Sequence, residues 1–430
     1  MFSNLFIALR YLTGRNSGGT RYLLGAVAGI GLSLIPVIVT LIVADGMIRG
    51  ITDRFIELGT GHIQVWPYRE AAGEDGSAAA LDAEDADILS LIRETQGVRG
   101  VWRQRESLGI IAGSTGKTGI SIRAIETSYW QDEGSRRYFS AVAGEALITA
   151  DNEALIGGEL AALTGAEVGK TIRVVTLRQA SGGRTVPRTT IFTVKGIISS
   201  GYHELDAMWC IISYEAGKKI LSSQPSGDPF VVKINNAYKD AAQVAALLNW
   251  RLPGDFWAYQ WKDLLRSQYS SYESTRQLLL FIMLLIVLVA AVNVSSATSM
   301  LVIERQRDIA VLKAFGVSPR MISGIFLWGS FLTGLCGSII GIGAGLIIGR
   351  FINQIMRGIE AVLNFFTAFT SGWTIHLLDP SYYLQSIPII IDWKTVILIG
   401  AFTVLCSCVS GSFPARKAGR AKPTELLRKQ

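Results

Sequence analysis

The stretch that decides the fold is IERQRDIAVLKAFGVSP, Ile303–Pro319, a short charged segment between two long apolar runs. Its apolar residues recur among the charges at helical spacing. Gly316 is a typical C-terminal cap, and Ser318 followed by Pro319 is a typical start for the next helix. The segment is too polar to span a bilayer. The pattern predicts a separate helix of about three turns outside the membrane, where an unpartnered surface helix is the alternative.

Four apolar runs around this segment are each long enough to cross a bilayer, which takes about 20 residues. They predict transmembrane helices over residues 22–46, 275–303, 320–349 and 394–413. The third run carries glycines every four residues, a spacing typical of close helix contacts. These are Gly337, Gly341, Gly345 and Gly349. A contact inside the subunit and a contact across a dimer both fit this pattern.

The composition also indicates a membrane protein, because charged residues make up only 17% of the 430 residues, against about 25% in soluble domains. The net charge of +7 comes from basic residues in segments 1–21, 304–320 and 414–430. Basic residues that flank apolar runs mark the cytoplasmic side. The charge therefore predicts cytoplasmic N- and C-termini, and it does not indicate a nucleic-acid partner.

The predicted fold is an α-helical membrane protein with four transmembrane helices and a large mixed α/β extracytoplasmic domain. This domain covers residues 47–274, where helical and strand patterns alternate, and it ends in a stalk that continues into the second span. The remaining segments are an amphipathic surface helix (1–21), the polar helix (304–319), an extracytoplasmic connection (350–393) and a basic tail (414–430). Ser386–Asp392 in the connection has a strand-like pattern.

A polar stretch between Leu177 and Ile191, RQASGGRTVPRTT, carries Gly182 and Gly183 at its middle. Two glycines with polar flanks favour a β-hairpin turn. Little in the stretch is apolar enough to pack, so we expect the hairpin to project from the domain. An ordinary exposed loop is the alternative.

Enzyme chemistry finds little support in the sequence. AGSTGKTG (Ala112–Gly119) is similar to a phosphate-binding loop, but Ile111 stands where the motif requires a glycine, and a hairpin turn is the better interpretation. The three histidines lie far apart, and three of the four cysteines lie in apolar runs. We therefore expect a non-catalytic chain that holds no metal and no cofactor of its own.

Several stretches resemble one known superfamily. ERQRDIAVLKAFGVSP resembles the signature of the FtsX/MacB permeases, the type VII ABC transporters. FPARKAGRAKPTELLR resembles their closing pattern, and YYLQSIPIIIDW the segment before their last span. ALIGGELAALTGAEVGKTIRV and FTVKGIISSGYHELDAMWCII are similar to their extracytoplasmic core. IALRYLTGR and ISIRAIE are most similar to the LolC/LolE transmembrane subunits of lipoprotein-releasing complexes.

The resemblance implies a MacB-type periplasmic core domain and a location in the bacterial inner membrane. It implies a subunit that extracts lipoproteins from the outer leaflet and passes them to a LolA-like periplasmic carrier. A separate LolD-like ATPase would bind ATP and Mg²⁺, and a second permease subunit, the same or a related chain, would complete the complex. The alternatives are a MacB-like exporter that works with an adaptor and an FtsX-like mechanotransmitter that regulates a cell-wall hydrolase.

The resemblance also assigns roles to three sets of residues. The ATPase-coupling set is Glu304, Arg305, Arg307, Asp308, Leu312, Lys313, Phe315 and Gly316. The carrier-binding hook, within residues 178–188, is Arg178, Gln179, Gly182, Gly183, Arg184, Val186, Pro187 and Arg188. The lipid-cavity set, chosen from position on the first two spans, is Val39, Val43, Met47, Leu280 and Leu284.

Overall fold

A computed structural model describes residues 18–68, 78–179, 185–222, 227–370, 384 and 387–420. The chain divides into two compact units. The helical unit comprises Met1–Ile48, Tyr272–Gly372 and Ile387–Gln430, and the sheet unit comprises Arg49–Ser271 and Trp373–Ser386. Most of the predicted surface helix 1–21 lies outside the described residues.

The first helix, α1 (Gly18–Arg54), contains Pro36 and continues into a π-helical segment over Phe55–Thr60. The sheet unit then alternates strands and short helices. In chain order these are β1 (Ile63–Pro67), α2 (Ala78–Arg93), β2 (Val98–Ala112), β3 (Lys117–Ile125), α3 (Glu133–Tyr138), β4 (Ser140–Gly144), β5 (Glu153–Gly157), α4 (Gly158–Thr164), β6 (Thr171–Gln179), β7 (Thr185–Ser199), α5 (His203–Met208), β8 (Trp209–Ser213), α6 (Tyr214–Ile220), β9 (Phe230–Ile234), α7 (Ala241–Arg251), β10 (Phe256–Gln260) and α8 (Trp261–Leu264).

The described strands form a continuous mixed sheet in the order β10-β1-β9-β2-β3-β8-β5-β7-β4, with β6 paired to both β2 and β7. The β3–β8 and β5–β7 pairs are parallel, and the other pairs are antiparallel. Helices cover the sheet over separate apolar clusters, one around Trp261 and Phe230 and another around Phe192 and Ile212. The prediction of a mixed α/β domain between the first two spans is confirmed. The stretch Ala112–Gly119 forms the predicted β2–β3 turn, closed by Gly113 and Gly116.

The helical unit contains the other long helices. They are α9 (Arg266–Glu304), α10 (Gln306–Ala314), α11 (Pro319–Arg350), α12 (Ile352–Thr370) and α13 (Trp393–Arg420). Among the described residues, four helices are long and apolar enough to cross a membrane: α1 with its π-helical extension, α9, α11 and α13. The predicted four-span fold class is therefore confirmed.

The glycine face of α11 packs inside the subunit. A Cβ at Gly337 would lie 2.8 Å from the Cβ of Ile30 on α1, and a Cβ at Gly341 would lie 2.8 Å from the carbonyl oxygen of Gly31. Both contacts leave no room for a side chain, so the glycines allow the backbones of α1 and α11 to approach closely. Of the two contacts that the sequence left open, the one within the subunit is present.

Two predicted segments differ from the structure. The last helix does not end before the tail but continues through Pro414 to Arg420, because its final turns bury Ala415 and Ala418 against other helices. The connection 350–393 contains the helix α12, and residues 387–392 are not a strand. The backbone N–H and C=O of Ile387 instead bond the side chain of Asn353, at 3.1 and 3.0 Å.

Candidate functional site

The polar segment forms a short helix, α10, that follows α9 almost without interruption. Glu304 is the last residue of α9, and Arg305 stands alone between the two helices with φ −95°. The predicted start at Glu304 is therefore wrong by two residues, because the hydrogen bonds of α9 continue through Arg305, whose N–H bonds Leu301 C=O. The other end is as predicted. Gly316 has φ +81°, and the Ser318 hydroxyl accepts a hydrogen bond from Met321 N–H.

The inner face of α10 packs on the ends of three long helices. Ile309 is buried in an apolar cluster with Leu301 of α9, Ile322 of α11 and Ala418 of α13. Lys313 Nζ also donates a hydrogen bond to the carbonyl oxygen of Gly419, at 2.9 Å. A displacement of α10 therefore acts directly on three of the four candidate membrane helices.

Among the described residues of the helical unit, none covers the outer face of α10. Arg307, Val311, Ala314 and Phe315 are exposed and recur at the spacing of a single helix face. The side chain of Phe315 is 83% exposed and that of Val311 is 48% exposed. We call these four residues the docking face. An exposed apolar strip beside a basic residue is typical of a surface that binds another protein.

The other residues of the predicted coupling set divide between exposed and half-buried positions. Glu304 and Gly316 are exposed. Arg305, Asp308, Leu312 and Lys313 are half-buried, and Arg305 Nη1 lies 3.0 Å from Asp308 Oδ2. These half-buried residues hold α10 against the neighbouring helices, whereas Arg307 and Phe315 belong to the exposed docking face.

The predicted hook corresponds to the end of the antiparallel β6–β7 pair. Arg178 pairs with Val186, and Gln179 pairs with Thr185. Gly182, Gly183 and Arg184 lie outside the described residues. Val186 and Pro187 are exposed, and Arg188 Nη1 donates a 2.7 Å hydrogen bond to the carbonyl oxygen of Lys219.

The predicted lipid-cavity residues lie beside the contact between α1 and α9. Val37 and Leu41 of α1 are buried with Met283 of α9 in one apolar cluster. Leu280 packs against the edge of this cluster and Leu284 is exposed. The α1 members, Val39, Val43 and Met47, are half-buried and recur every four residues along one face.

Two ion-pair clusters were not anticipated from the sequence. In the helical unit, Arg276 of α9 bonds Asp45 of α1 at 2.7 Å and Asp392, at the start of α13, at 3.2 Å. Asp392 also accepts a hydrogen bond from Thr395 at 2.7 Å. Each charge borders a predicted span on the side away from α10. Because all three charges lie at the same side of the predicted spans, the sequence did contain a sign that they could pair.

In the sheet unit, the π-helical segment that follows α1 inserts Glu57 into a buried charge cluster. Lys233 Nζ, whose side chain is 0% exposed, lies 3.1 Å from Glu57 and 3.0 Å from Asp132. His62 Nδ1 accepts from Ile234 N–H, so its Nε2–H donates to Glu57 at 2.9 Å. Burial would raise the pKa of Glu57, but His62 and Lys233 outweigh it and lower the pKa to about 2.

Further polar contacts hold the same segment to the sheet. Arg123, fully buried on β3, donates a hydrogen bond to the carbonyl oxygen of Gly59. Arg54 Nε donates to the carbonyl oxygen of Ser200 at 2.7 Å, and the Tyr238 hydroxyl donates to Asp53 at 2.6 Å. Burial, the largest effect, raises the pKa of Asp53 despite that bond. We call this set, with Glu57 and Lys233, the helix–sheet joint.

Comparison with known proteins agrees with this architecture. The MacB-like periplasmic core domain family matches residues 23–249, and the FtsX-like permease C-terminal family matches residues 280–423. The lipoprotein-releasing system transmembrane protein LolC of Neisseria meningitidis serogroup B is 26% identical over 100% of both chains. The corresponding LolE protein of Haemophilus influenzae is 20% identical over 99% of both chains.

Among solved structures, the periplasmic region of MacB from Actinobacillus actinomycetemcomitans matches with a TM-score of 0.30 and 15% identity, covering 48% of this chain and 92% of that one. The two family matches together cover most of the sequence, and the first alone covers more than half. The chain therefore belongs to the FtsX-like, MacB-like ABC transporter permeases, and within them to the LolC/LolE type.

Proposed function

We propose that this chain is the transmembrane subunit of an ABC transporter that releases lipoproteins from the inner membrane. A separate ATPase subunit binds α10 and supplies the energy. A second permease subunit completes the complex. The proposal orients both termini to the cytoplasm, as the distribution of basic residues predicts.

The observation that carries the proposal is the docking face. Phe315 and Val311 expose apolar surface on a helix whose opposite face is packed on α9, α11 and α13. A protein that binds this face can push or pull three helices at once. ATP and Mg²⁺ belong to the partner in this scheme, and no residue of this chain is assigned to them.

Lipoproteins are proposed as the cargo because the full-length relatives are named as lipoprotein-releasing proteins. Their acyl chains must leave the bilayer at a cost of about 0.8 kcal/mol per CH₂ group, so release requires an energy source. We place the acyl chains beside α1 and α9, near Val43 and Leu284. We place the periplasmic carrier at the β6–β7 hairpin, where Val186 and Pro187 are exposed.

Co-purification tests the docking face. The full-length chain is co-expressed with the tagged ATPase subunit of a lipoprotein-releasing system. We expect the Val311→Ala/Phe315→Ala double variant to lose most of the bound ATPase. The matched control is Leu163→Ala/Trp250→Ala, which removes side chains that are 53% and 83% exposed in the sheet unit. Full ATPase retention by the first variant would contradict the proposal.

The cargo and the carrier are tested separately. A photoreactive residue at position 284 should crosslink to a radiolabelled triacylated lipoprotein, and one at exposed Ile397 on α13 should not. Replacing Val186 and Pro187 with serine should abolish crosslinking of the periplasmic carrier while ATPase binding is kept. Equal crosslinking at positions 284 and 397 would remove the cargo assignment but leave the docking result intact.

A further inference from the structure

A cavity of about 540 Å³ opens between the first turns of α11 and the last turns of α13. Arg320 and Ser323 line it from α11, and Arg416 and Arg420 line it from α13. This volume falls in the range of about 300–1,000 Å³ that is typical of ligand sites. The cavity lies within the helical unit and is separate from the docking face.

The charged side chains that line this cavity are all positive. Arg320, Arg416 and Arg420 are exposed, and none forms an ion pair with another described residue. No aspartate or glutamate occurs among the described residues that line the cavity. Guanidinium groups bind phosphate oxygens through paired hydrogen bonds. The first turn of α11 and the last turn of α13 bring helix-dipole ends of opposite sign to the cavity, so its positive charge comes from the three arginines. The site is therefore suited to a phosphate group.

Apart from Ser323, Ser412 and the arginines, the residues that line the cavity are apolar, and they lie on the two membrane helices. Small residues form its floor, among them Gly324, Ala415 and Gly419. Exposed Leu327 lines it on the α11 side. On α13, exposed Leu405 and Val409 lie on the same helix face as Arg416, at spacings of four and seven residues. The basic end thus continues into a strip that faces hydrocarbon in a membrane.

We propose that this cavity binds the phosphate headgroup of an anionic phospholipid, with its acyl chains along Leu327, Leu405 and Val409. A basic pocket between the ends of membrane helices is the arrangement that recognises anionic headgroups. An acidic protein surface would satisfy the arginines but not the strip of exposed apolar side chains. Basic residues that flank membrane spans mark the cytoplasmic side, so we place this lipid in the cytoplasmic leaflet.

The site borders α10, the helix that carries the docking face. Gly419, on the cavity floor, accepts the hydrogen bond from Lys313 of α10. A bound headgroup would therefore lie against the same turn of α13 that holds α10. The lipid site does not depend on the proposed cargo, and its test uses neither lipoprotein nor carrier.

The test measures lipid retention by the full-length protein with native mass spectrometry. The protein is purified in detergent with equal amounts of phosphatidylglycerol and phosphatidylcholine. We expect preferential retention of phosphatidylglycerol, reduced roughly 30-fold in Arg320→Gln/Arg416→Gln, since each cation near an anionic lipid contributes about 1 kcal/mol. The control Arg266→Gln/Arg350→Gln also removes two exposed arginines, neither of which forms an ion pair with another described residue, and should retain the lipid.

Two further measurements keep the proposal falsifiable if the double variant fails to fold. Gly324→Leu fills the cavity without changing its charge and should lower lipid retention. A photoreactive residue at position 327 of the otherwise native chain should crosslink to phosphatidylglycerol. Equal retention by the two double variants would overturn the proposal. Displacement by inorganic phosphate as effective as that by the lipid would also overturn it, because it would show a free-anion site.

Discussion

Lys233 and Glu57, separated by 176 positions in the chain, form a buried ion pair with Nζ 3.1 Å from Oε2. The pair joins the π-helical extension of the first membrane helix to strand β9 in the middle of the sheet. Asp132 and His62 complete it, so each buried charge has an opposite charge or a hydrogen-bond partner. The helix–sheet joint therefore holds the end of α1 by several strong polar contacts at once.

Lys233→Met is expected to destabilise the protein strongly. It removes the cation buried beside Glu57 and leaves Asp132 with only the partly exposed Arg99. Breaking a buried ion pair by removing one partner typically costs about 3–5 kcal/mol. For a unit of this size we expect the thermal midpoint in detergent to fall by about 10 °C. Lys239→Met changes an exposed lysine with no side-chain partner among the described residues and should leave the midpoint unchanged. A loss below about 1 kcal/mol would contradict this account of the joint.

The joint also predicts how stability depends on pH. The pKa of Glu57 is about 2 in the folded protein and about 4.3 in an unfolded chain. The folded state therefore binds fewer protons, so this contribution is complete above about pH 4.5 and is lost as the pH falls toward 2. It amounts to at most about 3 kcal/mol.

We expect Glu57→Gln to flatten the profile of thermal midpoint against pH between about pH 4.5 and 2. Glu133→Gln replaces an exposed glutamate nearby and should follow the wild-type profile. Thermal scans at several pH values in the same detergent make this comparison. Parallel profiles for the wild type and Glu57→Gln would show that the carboxylate does not act as described.

The Arg276–Asp45 pair predicts a measurable coupling between α9 and α1. The pair is partly exposed, so we expect a coupling energy of about 1 kcal/mol rather than the value of a fully buried pair. A double-mutant cycle with Asp45→Asn, Arg276→Gln and both together isolates this energy from chemical denaturation in detergent. Asp392 shares the same arginine, so Arg276→Gln should cost more than Asp45→Asn. Additive single effects would show that the two residues do not interact.

The glycines of α11 predict opposite results at two neighbouring positions. Alanine at 341 would place its Cβ 2.8 Å from the carbonyl oxygen of Gly31, a steric overlap that should cost about 1–3 kcal/mol. Alanine at 343 has no atom within 4 Å and should be neutral or stabilising by up to about 1 kcal/mol, through its higher helix propensity. Thermal midpoints of Gly341→Ala and Gly343→Ala test this contrast, and equal effects would contradict it.

Local patterns in the sequence predicted much of the helical unit. The apolar runs predicted the spans. Gly316 predicted the end of α10 and Ser318 predicted the start of α11, because helix caps depend on neighbouring residues. The continuation of α13 past Pro414 was missed, since it depends on packing against α11 rather than on propensity. The start of α10 was also missed, because the backbone hydrogen bonds of α9 continue through Arg305.

The polar clusters could not be predicted in the same way. Glu57, Asp132 and Lys233 lie on three separate elements that only the strand order of the sheet brings together. Arg276, Asp45 and Asp392 were visible as charges beside spans, but their pairing requires the packing of three helices. Which apolar residues of α10 are buried also depends on tertiary contacts, since Ile309 and Phe315 have similar hydrophobicity and opposite environments.

The outward face of α9 is apolar, and its exposure has different consequences in water and in a membrane. Leu278, Phe281, Val289 and Val292 are exposed on this face, which in water would drive aggregation. In a bilayer the same side chains meet lipid tails that are as apolar as they are, so leaving them uncovered costs almost nothing. A chain inserted in a bilayer can therefore leave this face of α9 in contact with lipid and does not need a protein partner to cover it.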